Sequence, residues 1–401
     1  MTMGLLGQDT LRFLFLKHTL SPCTIRSVSY SKEFPVTDPT HRAGWGRWFR
    51  PFIVVLVALA AGVLLVAPMV TMEPRELPIA VVDLDAGFET PQGTLAAGEQ
   101  VVGTVTASGA DGMLAWQSLD SQETLDEALE NNDIYAALVV PSDFSESQVM
   151  ARQGAGEVSP LTLIVNEGKH PMVSAQLSGS IDELTAGIDV PVEVEAYNEI
   201  PASLGLSATV LPMLFMILVY LASYVGGIVI RSTFPLYAGE TAQTQTPSKG
   251  RGAATQLGLA VLTATIVGTV SAGVLSAFAP DLDFSFTGAA VFLAIASFAL
   301  MTLVIGSINW LGMAGMIVPV AVLLLGLGTA NLPYEFLPSF WQDWVYPWNP
   351  LRFLAEGSRA LMFQSAGWWN PATLGLIVTG VVGVALVGTS VLKPAKKEVN
   401  R

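Results

Sequence analysis

The sequence predicts a polytopic α-helical membrane protein of six transmembrane helices, with an α/β extracytoplasmic domain inserted between helices 1 and 2. Three observations predict it. Of 401 residues, 51% are apolar and 13% are charged, about half the charged share of a soluble domain. The mean hydropathy of +0.53 cannot be spread over a wetted surface, so the apolar residues must be gathered into segments that meet lipid. The charges are partitioned as well: basic residues flank the apolar stretches, and one long acidic stretch separates the first from the second.

Six stretches are apolar enough to cross a hydrocarbon core of about 30 Å, which takes roughly 20 helical residues. They are residues 52–71, 206–230, 253–278, 288–309, 315–331 and 372–392. Pro212 lies in the second and Pro319 in the fifth, so a kink or partial unwinding is expected at each. The first has too long an apolar run, and too long a preceding segment, for a cleaved signal peptide, and reads as a signal anchor. Upstream, residues 21–40 lack periodicity and read as disordered, while Trp45, Trp48 and Phe49 among Arg42, Arg47 and Arg50 read as an interfacial helix or as snorkelling flanks.

Charge sets the orientation. Seven Lys/Arg against three acids precede the first stretch; Arg231, Lys249 and Arg251 against Glu240 follow the second; Lys393, Lys396, Lys397 and Arg401 against Glu398 end the chain. The positive-inside rule puts all three in the cytoplasm. Residues 73–205 hold 23 acids against Arg75, Arg152 and Lys169, a net charge of −20, and are read as outside. The expected organisation is a cytoplasmic segment 1–50, helix 1 at 51–72, the outer domain at 73–205, five helices within 206–393, an outer re-entrant or interfacial element at 332–370, and a cytoplasmic tail 394–401.

Strand and helix signals alternate in the outer domain. Ile79 to Asp83 reads as a buried strand closed by the turn Asp85-Ala86-Gly87; strands follow at 101–105 and around Trp116; a capped helix runs from Asp120 to Leu129; a strand covers Tyr135 to Val140; and a strand at 161–165 precedes a helix at 174–188. The acids read mostly as a solvated surface. A calcium site at Asp83, Asp85 and Glu89 is the sharper alternative, although no EF-hand spacing accompanies it. Cys23 stands alone, and His18, His41 and His170 are far apart, so neither a disulfide framework nor a zinc cluster is expected.

The run Leu77-Pro-Ile-Ala-Val-Val-Asp-Leu-Asp-Ala-Gly87, followed by Asp126-Glu-Ala-Leu and by Ile134-Tyr-Ala-Ala-Leu-Val-Val-Pro-Ser-Asp-Phe-Ser145, resembles the extracytoplasmic domain of the YhgE/Pip proteins and related ABC-2 type permeases. The resemblance covers residue 50 to the end of the chain. It implies a permease subunit of a bacterial cell-membrane exporter, a homodimer that moves a hydrophobic or amphipathic molecule outward and is driven by a separate ABC ATPase. No cofactor and no nucleic acid is implied. The alternative is a cell-surface receptor or scaffold acting through the acidic domain.

Two regions are candidate sites. Arg231, Glu240, Lys249 and Arg251 would form the ATPase-contact loop, although the polar, Pro-containing run 242–251 departs from a short coupling helix. Five of nine tryptophans (Trp341, Trp344, Trp348, Trp368, Trp369) fall between the last two spans, where an amphipathic indole suits the interface. There Arg352, Glu356 and Arg359 share one helical stripe and, with Trp344 and Trp348, would form an outer lid; a helix lying flat on the leaflet is the alternative. No span interior holds an ionisable residue, which disfavours ion coupling. Nor is there a phosphate loop or a catalytic constellation, so the chain is not read as an enzyme.

Overall fold

The computed structural model describes ten positions between 56 and 71, and residues 75–91, 93–108, 113–179, 190–205, 207–236 and 249–393. The segment 1–50, the 394–401 tail, Glu240 and most of the first predicted span lie outside the described residues. Where that span is described it is helical as far as Val70, and Pro68 packs against Gly328.

Residues 77–197 build a five-stranded mixed sheet in the order β4-β1-β5-β6-β7, from β1 (Leu77–Asp83), β4 (Leu114–Leu119), β5 (Ala136–Val140), β6 (Leu161–Asn166) and β7 (Val192–Tyr197). A hairpin of β2 (Phe88–Thr90) and β3 (Gly93–Leu95) stands apart from it. β1 pairs in parallel with β4 and β5, β5 antiparallel with β6, and β6 in parallel with β7. The two central strands are apolar on both faces, as a doubly covered sheet requires. Ile79, Val81 and Leu138 enter one apolar cluster with α1 (Ala97–Ser108) and α4 (Pro171–Gly179), while Ala80, Val82 and Val139 enter another with Leu125 and Leu129 of α2 (Gln122–Glu130). The strand expected at 101–105 is instead part of α1. Ala97, Val101 and Val105 are buried at a four-residue spacing, so docking on the sheet overrides the strand preference of the valines.

Asp85 ties this unit together. Its carboxylate accepts from the backbone N–H of Gly98 (3.1 Å) in α1, and from the N–H (3.0 Å) and hydroxyl (2.5 Å) of Ser145 in α3 (Phe144–Arg152). Two helix starts, each short of acceptors, therefore share one anion, and these bonds hold Asp85 below the usual carboxylate range despite its partial burial. Asp83 accepts from the Asp85 N–H, and Glu89 from Thr94. The three carboxylates of the calcium alternative thus face different partners.

The remainder is helical: α5 (Ser207–Thr233), α6 (Lys249–Phe278), α7 (Phe286–Leu311), α8 (Ile317–Asn331), α9 (Ser339–Trp344), α10 (Pro350–Phe363) and α11 (Pro371–Ser390). Among the described residues four stretches are long and apolar enough to cross a membrane: α5, α6, α11 and Phe286–Asn331. The last is not a straight rod. It breaks at the 3-10 segment Gly312–Met316, where Gly312 has φ +63° and Gly315 lies against the Ser307 carbonyl, a contact that no side chain would permit. Pro212 sits inside an unbroken helix. Pro319 occupies the first turn of α8, where its missing N–H costs nothing. α7 is central, buried against α5, α6 and α11.

Candidate functional site

The sheet unit and the helices meet through the segment that follows α8. Leu332, Phe336, Leu337, Trp341 and Val345 are buried in the same apolar cluster as Leu77 and Leu163, so this segment closes one face of the sheet. α10 then runs back among α5, α7, α8 and α11, with Leu351, Leu354, Leu361 and Met362 buried. It does not lie flat on a surface.

A polar network lines the junction. The Tyr135 hydroxyl donates to Glu335 Oε2 (2.8 Å). Lys169 donates to the carbonyls of Asn132 (2.7 Å) and Asp133 (2.8 Å) and lies 4.2 Å from the centroid of the Tyr135 ring. Asn132 donates to Gln364 Oε1 (3.1 Å), and Gln364 donates to the Gly168 carbonyl (2.8 Å), which docks the end of α10 on the turn after β6. The Tyr346 hydroxyl donates to Glu356 Oε1 (2.6 Å), and Arg352 pairs with Glu356 (3.1 Å) while lying 3.8 Å from the centroid of the Tyr346 ring. Arg359 donates to the Ala330 carbonyl (3.0 Å).

These groups surround a cavity of about 470 Å³ whose lining includes Tyr135, Lys169, His170, Glu335, Glu356 and Arg359. His170 is buried, and neither ring nitrogen has a hydrogen-bond partner, although the Asn331 backbone is close enough to act on the ring. Burial first, and then the positive charges of Arg359 and Lys169, hold its pKa well below the usual value. Burial also lowers Lys169 to about 8, against the opposing pull of Glu335 and Asp133. Tyr135 is raised well above its ordinary value by burial and by the Glu335 carboxylate.

The structure brings together Arg352 and Glu356 of the lid candidates. Arg359 turns toward Ala330 and the cavity, and Trp344 and Trp348 are 71% and 48% exposed. Sequence reasoning missed Tyr135, Lys169, His170, Glu335 and Tyr346. A signal existed for Lys169, one of three Lys/Arg in a stretch of 23 acids, whereas nothing local marks the others. The helices do surround ionisable groups, because α10, which is not one of the predicted spans, carries Arg352, Glu356 and Arg359 in among its neighbours.

The loop candidates sit at the opposite end. Lys249 donates to the Lys393 carbonyl (2.9 Å), and Lys393 donates to the Trp310 carbonyl. Gln256 donates to the Phe234 carbonyl (2.7 Å) and accepts from Asn309 (2.8 Å). Arg231 ends α5 with its Nε buried and unbonded, and Arg251 lies in the first turn of α6. Basic residues from three places in the sequence therefore gather at one end of the helices, far from the acidic sheet unit.

No curated protein and no solved structure matches the chain. Residues 47–392 match the family described as ABC-2 family transporter protein, and the chain belongs to that family.

Proposed function

We propose that this chain is the membrane-embedded permease subunit of an ABC-2 exporter, crossing the bilayer six times with both termini in the cytosol and the acidic sheet unit outside. The observation that carries this reading is the separation of charge: basic residues collect at one end of the helices, and the acidic stretch 73–205, with 23 acids, supplies the sheet unit that joins the other. In it, α7 and α8 are two crossings joined at Gly312–Met316, and α10 is a re-entrant helix at the outer end. Family membership implies a separate ABC ATPase, and the basic end is where it would dock, with Arg231, Lys249 and Arg251 in reach of it and Glu240, in the same loop of the sequence, as the fourth candidate. A homodimer would complete the pathway, and the exported molecule is hydrophobic or amphipathic. The YhgE/Pip type is the subfamily that the Leu77–Asp83 strand and its following turn favour. No observation favours the receptor or scaffold alternative.

The test is co-purification of the full chain from its native membrane. A phosphate-loop ATPase is expected with the wild type and is expected to be lost with Arg251→Glu. A chain that fulfils its cellular role with no such ATPase in the cell would overturn the reading.

A further inference from the structure

Within the junction cavity the carboxylates already have donors, since Glu335 accepts from Tyr135 and Glu356 from Arg352 and Tyr346. The cations are less well served: Glu356 pulls on Arg359, and Glu335 and Asp133 on Lys169, but among the described residues no carboxylate is in ion-pair contact with either. Arg359 donates to one neutral carbonyl and forms no ion pair among the described residues; Lys169 meets two carbonyls and an aromatic face. A buried guanidinium without an anion is costly, and its planar set of donors suits a carboxylate or phosphate. Beside it, His170 is buried and lines the same cavity, its ring nitrogens outside hydrogen-bond geometry although the Asn331 backbone lies near them. The three groups lie close enough for the charges of Arg359 and Lys169 to act on His170.

A second cavity lies beside the first turns of α10, where Pro350 and Phe353 line it. It has a volume of about 570 Å³ and an almost wholly apolar lining that includes Val322, Trp348, Phe353, Leu374 and Val378. Pro371 lines both cavities, so the polar chamber and the apolar slot adjoin at the start of α11.

We infer that the two cavities together form a binding site for an anionic amphiphile, whose oxyanion headgroup is held by Arg359, Lys169 and His170 and whose hydrocarbon chain lies in the slot beside Phe353. This rests on the permease reading and supplies its substrate class. A neutral amphiphile would leave Arg359 unpaired, and a free phosphate would leave the slot empty.

The test is binding to the purified full chain in nanodiscs without any ATPase, followed by tryptophan fluorescence, since Trp348 lines the slot. The probes are lysophosphatidic acid, the monoacylglycerol of the same chain, and glycerol 3-phosphate. Saturable binding of lysophosphatidic acid is expected, with affinities for the other two lower by about tenfold or more. Arg359→Gln is expected to weaken lysophosphatidic acid by about tenfold and leave monoacylglycerol unchanged. Lys169→Met and His170→Gln guard against misfolding of the first variant and are expected to weaken the same probe while still giving a cooperative thermal unfolding in the absence of ligand. Equal binding of monoacylglycerol and lysophosphatidic acid would overturn the headgroup assignment. Glycerol 3-phosphate binding as tightly as lysophosphatidic acid would overturn the amphiphile. ATPase co-purification is scored separately, so a failed binding result with an intact ATPase complex removes the inference and leaves the permease reading standing.

Discussion

The sheet unit and the helices differ in what they leave exposed. In the sheet unit the large apolar side chains point inward, and among its described residues only Met113, Met150 and Val194 are large and exposed. In α5 they point both ways: Val210, Leu214, Leu218, Leu221, Val225 and Val229 form an exposed stripe, while Phe215, Met216, Val219 and Tyr220 are buried with Ser223 and Gly227 against neighbouring helices. The same residue types serve two solvents. In water, apolar area drives packing. Against lipid that drive vanishes, and small residues that let backbones approach, together with hydrogen bonds such as Ser223 with Ser297 (2.9 Å), hold the helices instead.

The sharpest way to break this contrast is to add a side chain where helices touch. Gly268 lies against the Ala290 carbonyl and Gly383 against Thr302, whereas Gly273 faces open space. Gly383→Leu is expected to abolish a folded, monodisperse protein and Gly268→Leu to do nearly the same, while Gly273→Leu leaves thermal unfolding within a degree or two of wild type; size-exclusion profiles and melting curves in detergent read all three. Next in size is a charge on the two kinds of exposed apolar residue. Leu218→Arg, on the lipid-facing stripe of α5, is expected to cost about 2.5–3.5 kcal/mol in membrane insertion. Val194→Arg, equally exposed but on the wetted sheet unit, is expected to change stability by about 0.5 kcal/mol or less. Equal effects on insertion and folding would erase the contrast.

Within the sheet unit, Asp85→Ala removes the anion shared by two helix starts and is expected to destabilise by about 1–3 kcal/mol, read by denaturant unfolding. Because the folded pKa of Asp85 lies below the unfolded one, its contribution is present above pH about 4 and is lost as pH falls through the folded value. The junction titrates in the same direction but at higher pH, because there burial penalises the charged form of its basic groups. Lys169 is lowered to about 8, so between about 8 and its unfolded pKa the unfolded chain holds the extra proton and stability rises with pH. His170, also lowered, makes the folded state lose ground on acidification below about 6.5. The smallest effect belongs to Trp344→Ala, an exposed indole expected to shift melting by less than the error of the curve.

Much of the helical part was legible because lipid demands long uninterrupted apolar runs: the ends of α5, α6, α7 and α11 fall within a few residues of the predicted stretches. The Gly312–Met316 break was anticipated only as a boundary, since the closeness of Gly315 to Ser307 is a tertiary contact with no local mark. The sheet unit was legible at β1 and β5, where apolar runs are long. It was misread at α1, where three valines favour a strand until docking on the sheet chooses the helix, and missed at β7, whose alternating Glu193 and Glu195 leave little apolar signal. The lid stripe was visible as a pattern, yet the side chains that complete the cavity come from Tyr135, Lys169 and His170, about 200 residues earlier, and only the folded chain brings them to Arg359.

The central claim is that the acidic sheet unit and the basic helix ends lie on opposite sides of one membrane. In a Cys23→Ser background, single cysteines at the exposed positions Glu146 and Gly250 are treated in intact cells with a membrane-impermeant thiol reagent. Labelling of Glu146→Cys in intact cells, and of Gly250→Cys only after permeabilisation, is the expected result. Labelling of both from the same side would contradict the account.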